Sequence, residues 1–434
     1  MTRSMTSIRF LANLVRIPLY ENALFLIMSF GTTSLLGLAF WIVIARLLPA
    51  DDVGMITALL SIATLISQFA VLGFDYGLMR FLPEASTNKG PLITQVFAIT
   101  GICTISITFL FGITIQWTVP SLSEVLNTPV ALTGYMLLVV GVGYYGLVNA
   151  VFTGSRSAKF VFTQSVILGV LRIGLIVASI TALGLIAILF SWMLATWITI
   201  IISIVVIWPR INQDYKLKTN LDIQPIINVF RYSFSNFASM SFWNLPLQLM
   251  PAILVREISP EISAYFFIAL VLADGIWSIP MAIGQSLSVE GAFNQTILMQ
   301  HVKRSVRMIA LTVLTANILV WFFGDKLLLL FGDGYSEQGF NILRILCLAA
   351  IPISINQIYI GVMRVRKTMT GPLMFIALIA ISTLAMTYIL IPRLEILAPA
   401  IAILMSHTIV AILIGGVTII KLNRDNNTSN SPAR

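Results

Sequence analysis

Charge is what these 434 residues have least of: 26 Lys and Arg with 17 Asp and Glu make up 10% of the chain, where a water-soluble domain carries roughly a quarter. Apolar side chains reach 58%, more than one water-surrounded core can hide. Cysteine and histidine are nearly missing, with two of each. Cys103 and Cys347 fall in separate apolar runs, so no disulfide framework is expected. His301 and His407 have no metal-ligand spacing, and no metal site is expected. No Gly-x4-Gly-Lys-Ser/Thr loop is present, which excludes nucleotide hydrolysis by that route. There is no nucleophile–His–acid set in a supporting context and no long loop with an acidic metal motif. Neither an enzyme nor a cofactor is expected.

What the sequence has instead is a succession of long apolar runs. A hydrocarbon core of ~30 Å takes about 20 residues of helix, and about twelve such spans with short links use nearly the whole chain. The expected fold is an all-α integral membrane protein of about twelve transmembrane helices in two six-helix lobes. Residues 1–21 form a leader, 22–208 the first lobe, 209–225 a basic linker, 226–420 the second lobe and 421–434 a tail. Spans five and six are separated only around Leu183–Gly184, and spans nine and ten are placed at 307–324 and 341–363. The net charge of +9 follows from topology and calls for no nucleic acid. Nineteen basic residues lie on the loops of one side and four on the other (Arg46, Arg256, Lys326 and Arg393), while Arg172, Arg231 and Arg344 lie inside spans. Lys and Arg favour cytoplasmic loops, so both termini are expected in the cytoplasm.

Six spans per half put both halves in the same orientation, as in transporters with parallel repeats. The loops match: Arg156 and Lys159 after span four parallel Arg364 and Lys367 after span ten at the same offset. Such a repeat implies a cleft between halves that opens to either side by rocking.

Polar side chains within the spans fall on helical faces. Span two carries Thr57, Ser61, Thr64, Gln68 and Asp75; span seven carries Ser233, Asn236, Ser241, Asn244 and Gln248; span eight carries Asp274, Ser278, Met281, Gln285 and Ser288. Two readings stay open for each face, a water-filled cavity or a helix–helix hydrogen-bonding seam. Arg172 and Asp274 are the deep charges, each costing about 2.5–3.5 kcal/mol if left facing lipid. They either pair with one another, or Arg172 forks onto an anionic head group and Asp274 holds a coupling ion. Arg231 and Arg344, near span ends, are expected to snorkel to the interface, and Arg231 is also counted among the substrate-binding residues with Gln68, Asn236, Asn244 and Gln248. Asp75, Arg80 and Glu84 form a rim cluster at the cytoplasmic end of span two, read as a salt-bridge latch.

Gly37-Leu38-Ala39-Phe40-Trp41 leads to Ala45-Arg46-Leu47-Leu48-Pro49, and Leu72-Gly73-Phe74-Asp75-Tyr76-Gly77 runs into Arg80-Phe81-Leu82-Pro83-Glu84. With Ser259-Pro260-Glu261 and Ile279-Pro280-Met281-Ala282 in the second half, the chain resembles polysaccharide-export flippases of the Wzx type. These sit in the multidrug/oligosaccharidyl-lipid/polysaccharide exporter superfamily. The resemblance implies a MATE-like pair of lobes around a cationic cavity. It also implies transfer of polyprenyl-(di)phosphate-linked oligosaccharide from the inner to the outer leaflet of the cell membrane, powered by a counter-ion (H+ or Na+) or membrane potential. Lipid II flippases carry an Arg-Asp pair in their first helix; Phe40 and Trp41 stand about there, which argues against lipid II as cargo. A multidrug exporter of the same fold and, further off, a membrane polysaccharide polymerase or ligase are the alternatives.

Overall fold

The computed structural model describes residues 18–83, 89–211, 224–293, 297–366, 368 and 370–429. No strand occurs among the described residues. The long helices are α1 (Pro18–Leu47), α2 (Ala50–Val71), α3 (Lys89–Thr118), α4 (Pro129–Gly154), α5 (Ala158–Leu183) and α6 (Ile186–Ile202). Then come α7 (Gln224–Glu257), α8 (Pro260–Phe293), α9 (Leu298–Leu329), α10 (Asp333–Val365), α11 (Thr370–Leu394) and α12 (Ala398–Ser429). Ten stretches are long and apolar enough to cross a membrane. The last, Thr370–Gly416, covers both α11 and α12, which part at a 3-10 turn over Glu395–Leu397. Only α7 is too polar to qualify, so the expected twelve spans each have their helix.

Hydropathy places the apolar slab but not the helix ends. α9 starts at Leu298 and α10 at Asp333, nine and eight residues before the expected spans, because both helices continue past the slab as polar turns. The first carries His301, Lys303 and Arg304, the second Asp333 and Glu337. The break between α5 and α6 falls at Gly184, whose φ of 53° is open to glycine at little steric cost. A π-helical turn over Ser203–Ile207 extends α6 toward Ile211.

Contacts divide the chain into two compact units, residues 1–241 and 242–434. The division falls inside α7 and not at the expected linker, most of which lies outside the described residues. The reason is local. Leu72 and Gly73 both adopt left-handed backbone (φ 53° and 75°) and turn the chain from α2 into a short helix, Phe74–Phe81. Gly73 and Gly77 present no side chain there, and the Val229–Ser233–Phe237 face of α7 lies directly on them. Rings lock the contact: Phe69 to Phe237 at 5.8 Å, Phe74 to Phe230 at 6.3 Å and Phe81 to Tyr232 at 5.5 Å. Val229 and Ile226 are thereby buried with Phe74, Leu78, Leu147 and Trp208.

Within the first unit α1 packs on α5, and α4 sits among α2, α3 and α6. Polar tips of aromatic side chains find main-chain partners, buried Tyr135 Oη donating to the Leu59 carbonyl at 2.8 Å and half-buried Trp197 Nε1 to that of Leu137 at 2.9 Å. Within the second unit α8 and α10 make the most extensive pair. Trp277 Nε1 donates to the Leu346 carbonyl at 2.9 Å across it. A Cβ on Gly361 would lie 2.8 Å from the Gly284 carbonyl oxygen, and one on Gly284 2.9 Å from that of Gln357. Backbone cannot retreat as a side-chain tip does, so Gly361→Val is expected to cost about 1–3 kcal/mol. The check is a thermal melt in detergent, in which Gly415→Val, with open space around it, should melt as the parent does.

Candidate functional site

The first unit holds an unpaired cation in an aromatic nest. Arg172 lies fourteen residues into α5, about 21 Å from the helix start by rise. Its guanidinium carbon sits 3.8 Å from the centroid of the Trp192 ring on α6. Trp192 in turn meets Phe40 edge-on at 5.3 Å and Trp41 at a tilt at 6.0 Å, both from α1, and those two rings meet each other at 5.4 Å. Phe40 and Trp41 are buried, so the wall behind the guanidinium is fixed. Arg172 has no hydrogen bond or ion pair among the described residues, and its Nε is buried without a partner.

Stacking on one face leaves the donor edge of a guanidinium unused. A cation–π contact offsets about 0.5–2 kcal/mol of burial, less than insertion of the charge costs. The nest holds the arginine without satisfying it, and two oxygens of an anion such as a phosphate would complete its fork with two parallel N–H···O bonds.

The other expected residues divide by surroundings. Of the span-two face, Thr57 and Ser61 are buried, Thr57 Oγ1 donating to the Gly54 carbonyl, while Thr64 is exposed. Gln68 is half-buried and its Nε2 donates to Ser241 Oγ at 3.5 Å, which brings two expected polar faces together. Ser233 is fully buried over Gly77, its hydroxyl unpartnered, whereas Arg231 and Asn236 are exposed. In the second unit Asn244 and Gln248 are half-buried on α7. Asp274, Ser278 and Gln285 lie exposed along one face of α8, so that face is no seam within its own unit. Ser288 instead turns inward, donating to the Gly284 carbonyl at 2.9 Å.

At the rim, Asp75 is half-buried and forms no ion pair among the described residues; Arg80 is exposed and Glu84 lies outside the described residues. The latch is thus not built around Asp75. Burial raises the Asp75 carboxyl above its ordinary value, partly countered by the backbone N–H groups of Tyr76 and Asp75. A carboxyl raised on folding contributes stability while protonated and loses it as pH rises through its folded value. Asp75→Asn is accordingly expected to leave stability at neutral pH equal or higher, and to flatten its decline as pH rises from about 4. Melting the two proteins across pH measures this; a less stable Asp75→Asn protein at neutral pH would point to an ion pair.

Two arrangements escape sequence reasoning. Trp192, Phe40 and Trp41 are ordinary membrane aromatics until α1, α5 and α6 bring them round Arg172. In the second unit His407, buried on α12, accepts at Nδ1 from Asn356 Nδ2 at 3.1 Å, and the same amide donates to the His407 carbonyl at 3.3 Å. This leaves the imidazole proton on Nε2, with the Trp243 ring 5.5 Å away. Neither pairing has a periodicity to reveal it. No group of three metal-ligating side chains occurs among the described residues.

A family described as polysaccharide biosynthesis protein matches residues 19–269. No curated protein matches the sequence. Among solved structures, an inward-facing multidrug-resistance MATE family transporter of the MOP superfamily superposes with a TM-score of 0.74 at 13% identity, covering 94% of this chain and 99% of that one. The lipid II flippase MurJ in its inward closed conformation gives 0.73 at 12%, covering 91% and 87%. A MOP superfamily transporter from Pyrococcus furiosus gives 0.58 at 13%, covering 91% and 93%. At these identities the likeness establishes the fold: an all-helical, multi-pass membrane architecture common to MATE transporters and MurJ.

Proposed function

Since the chain belongs to the family of polysaccharide biosynthesis proteins, we propose that it flips polyprenyl-(di)phosphate-linked oligosaccharide from the inner to the outer leaflet of the plasma membrane by alternating access. Both termini are cytoplasmic in this reading, as the basic loops require. The supporting observation is Arg172, a guanidinium deep in the first unit that is stacked on Trp192 and lacks an anionic partner among the described residues. The cargo's diphosphate supplies that anion. Sugar hydroxyls are met by Gln68, Arg231 and Asn236 on the first unit and by Asn244 and Gln248 on the second. Asp274, exposed on the polar face of α8, takes the counter-ion, H+ or Na+. No covalent chemistry is performed, so the protein is a transporter and not an enzyme.

The cargo is tested by deleting the gene in its host and locating lipid-linked glycan. Accumulation on the cytoplasmic leaflet with loss of surface polysaccharide supports the reading. Unchanged surface polysaccharide together with drug sensitivity would replace it with multidrug export, which an unpaired cation at the site disfavours for cationic drugs. Coupling is tested separately. Asp274→Asn is expected to lower gradient-driven transport at least about 10-fold, the loss of one charge-assisted interaction, while cargo binding persists. Loss of binding in that variant would move Asp274 to the cargo site.

A further inference from the structure

Arg344 on α10 is placed unlike Arg172, and the proposed transport does not use it. Along α10, Glu337, Gln338 and Asn341 are exposed and polar, and Leu348, Ile351 and Ile355 are exposed and apolar. Arg344 lies where one set gives way to the other, on the face it shares with Leu348, Ile351 and Ile355 at helical spacing. On α9, Trp321 lies against Arg344, and Trp321, Phe322 and Phe323 are each more than half exposed. An exposed surface this apolar, ending in aromatics, faces lipid with its aromatics at head-group level.

The guanidinium does not simply reach for water there. It is sandwiched, its carbon 3.8 Å from the Phe340 ring centroid and 4.4 Å from that of Trp321. Its one hydrogen bond among the described residues runs from Nη2 to the Trp321 carbonyl at 3.3 Å, and its Nε is buried without a partner. Asp325 on α9 and Glu337 on α10, the carboxylates nearest in sequence to this surface, make no ion pair with it. Lys326 adds a second positive charge on the same side of the membrane, its Nζ 5.7 Å from the Phe323 ring.

We propose that the α9–α10 face binds a resident membrane phospholipid in the leaflet on which the Leu330–Gly332 connection emerges, with Arg344 holding the head-group phosphate. Two aromatic rings hold the guanidinium in place, its carbon 3.8 and 4.4 Å from their centroids, so its remaining donors form a fork for phosphate oxygens. Lys326 joins as a point charge, and the acyl chains run down Leu348, Ile351 and Ile355. A lysine in place of Arg344 keeps the charge and loses the stacked fork.

The test uses the full chain in detergent and reads tryptophan fluorescence quenched by brominated-acyl phosphatidylglycerol, against brominated diacylglycerol, which has the chains without the phosphate. Phosphatidylglycerol is expected to quench at a concentration about 10- to 100-fold lower, and Trp321→Phe to remove the saturable component. Arg344→Gln should bring the two lipids together, and Arg344→Lys should fall between. Inorganic phosphate at millimolar concentration should not compete, and polyprenyl phosphate should compete no better than phosphatidylglycerol. Equal quenching by both lipids in the parent protein overturns the site, as does an Arg344→Lys protein, folded by its melt, that binds like the parent. Displacement by polyprenyl phosphate at far lower concentration would reassign the face to cargo, and displacement by inorganic phosphate to a soluble anion.

Discussion

Arg172→Gln is expected to lower export of lipid-linked glycan by about 10- to 100-fold while the protein inserts and folds normally. The magnitude is that of charge-assisted hydrogen bonds at a desolvated site, roughly 1.5–3 kcal/mol. Folding is spared because Arg172 has no hydrogen-bond or ion-pair partner among the described residues to orphan; its contact is the face of Trp192. Arg172→Lys separates charge from geometry. An ammonium keeps the charge but cannot lie flat on an indole or fork onto two oxygens, so recovery is expected to be partial. Trp192→Ala should mimic the glutamine variant in cargo affinity, since the guanidinium then loses the support that Phe40 and Trp41 give through Trp192. Binding of a labelled polyprenyl diphosphate glycan to the purified variants measures all three. Parent-level binding by Arg172→Gln would remove Arg172 from the site.

Gly73→Val carries the largest expected structural effect. The position has φ 75°, which costs a residue with a Cβ about 1–2 kcal/mol. The added Cβ would also lie 2.9 Å from Phe237 Cβ and 3.1 Å from the Ser233 carbonyl oxygen. Overpacking of this kind costs about 1–3 kcal/mol more, and the cheapest relief is to lift the Val229–Phe237 face of α7 away. Ser233→Cys, in a chain with Cys103 and Cys347 replaced, reports that movement because Ser233 is fully buried in the intact contact. Maleimide labelling of this cysteine is expected to rise at least about 10-fold when Gly73→Val is added, the equivalent of some 1.4 kcal/mol. Unchanged labelling would show that the short helix yields and α7 does not.

Length and composition go far in a membrane protein because the bilayer leaves little choice. Every backbone polar group must be satisfied within its own helix, so an apolar run of the right length is a span, and the ten stretches that qualify, covering eleven of the twelve long helices, were legible. The ends of α9 and α10 were not, because helix propensity carries on into water where hydropathy stops. The division inside α7 was invisible for a different reason. A basic, proline-bounded stretch at 209–225 looks like a linker, whereas the tie between α7 and the first unit is made by two glycines far away in sequence. Depth marked Arg172 as special; its lack of a carboxylate partner among the described residues and its stacking on Trp192 are tertiary facts. The polar faces were sorted by packing alone: the same spacing that buries Thr57 and Ser61 in α2 leaves Asp274 and Gln285 exposed on α8.

Transbilayer movement of cargo is the claim on which the rest depends. Purified protein in sealed vesicles, with a fluorescent polyprenyl diphosphate oligosaccharide in one leaflet, measures it through a membrane-impermeant quencher added outside. The account predicts that label crosses between leaflets faster than in protein-free vesicles, and that Arg172→Gln vesicles fall back toward the protein-free rate. Movement at the protein-free rate by folded parent protein, with and without an imposed ion gradient, would contradict it.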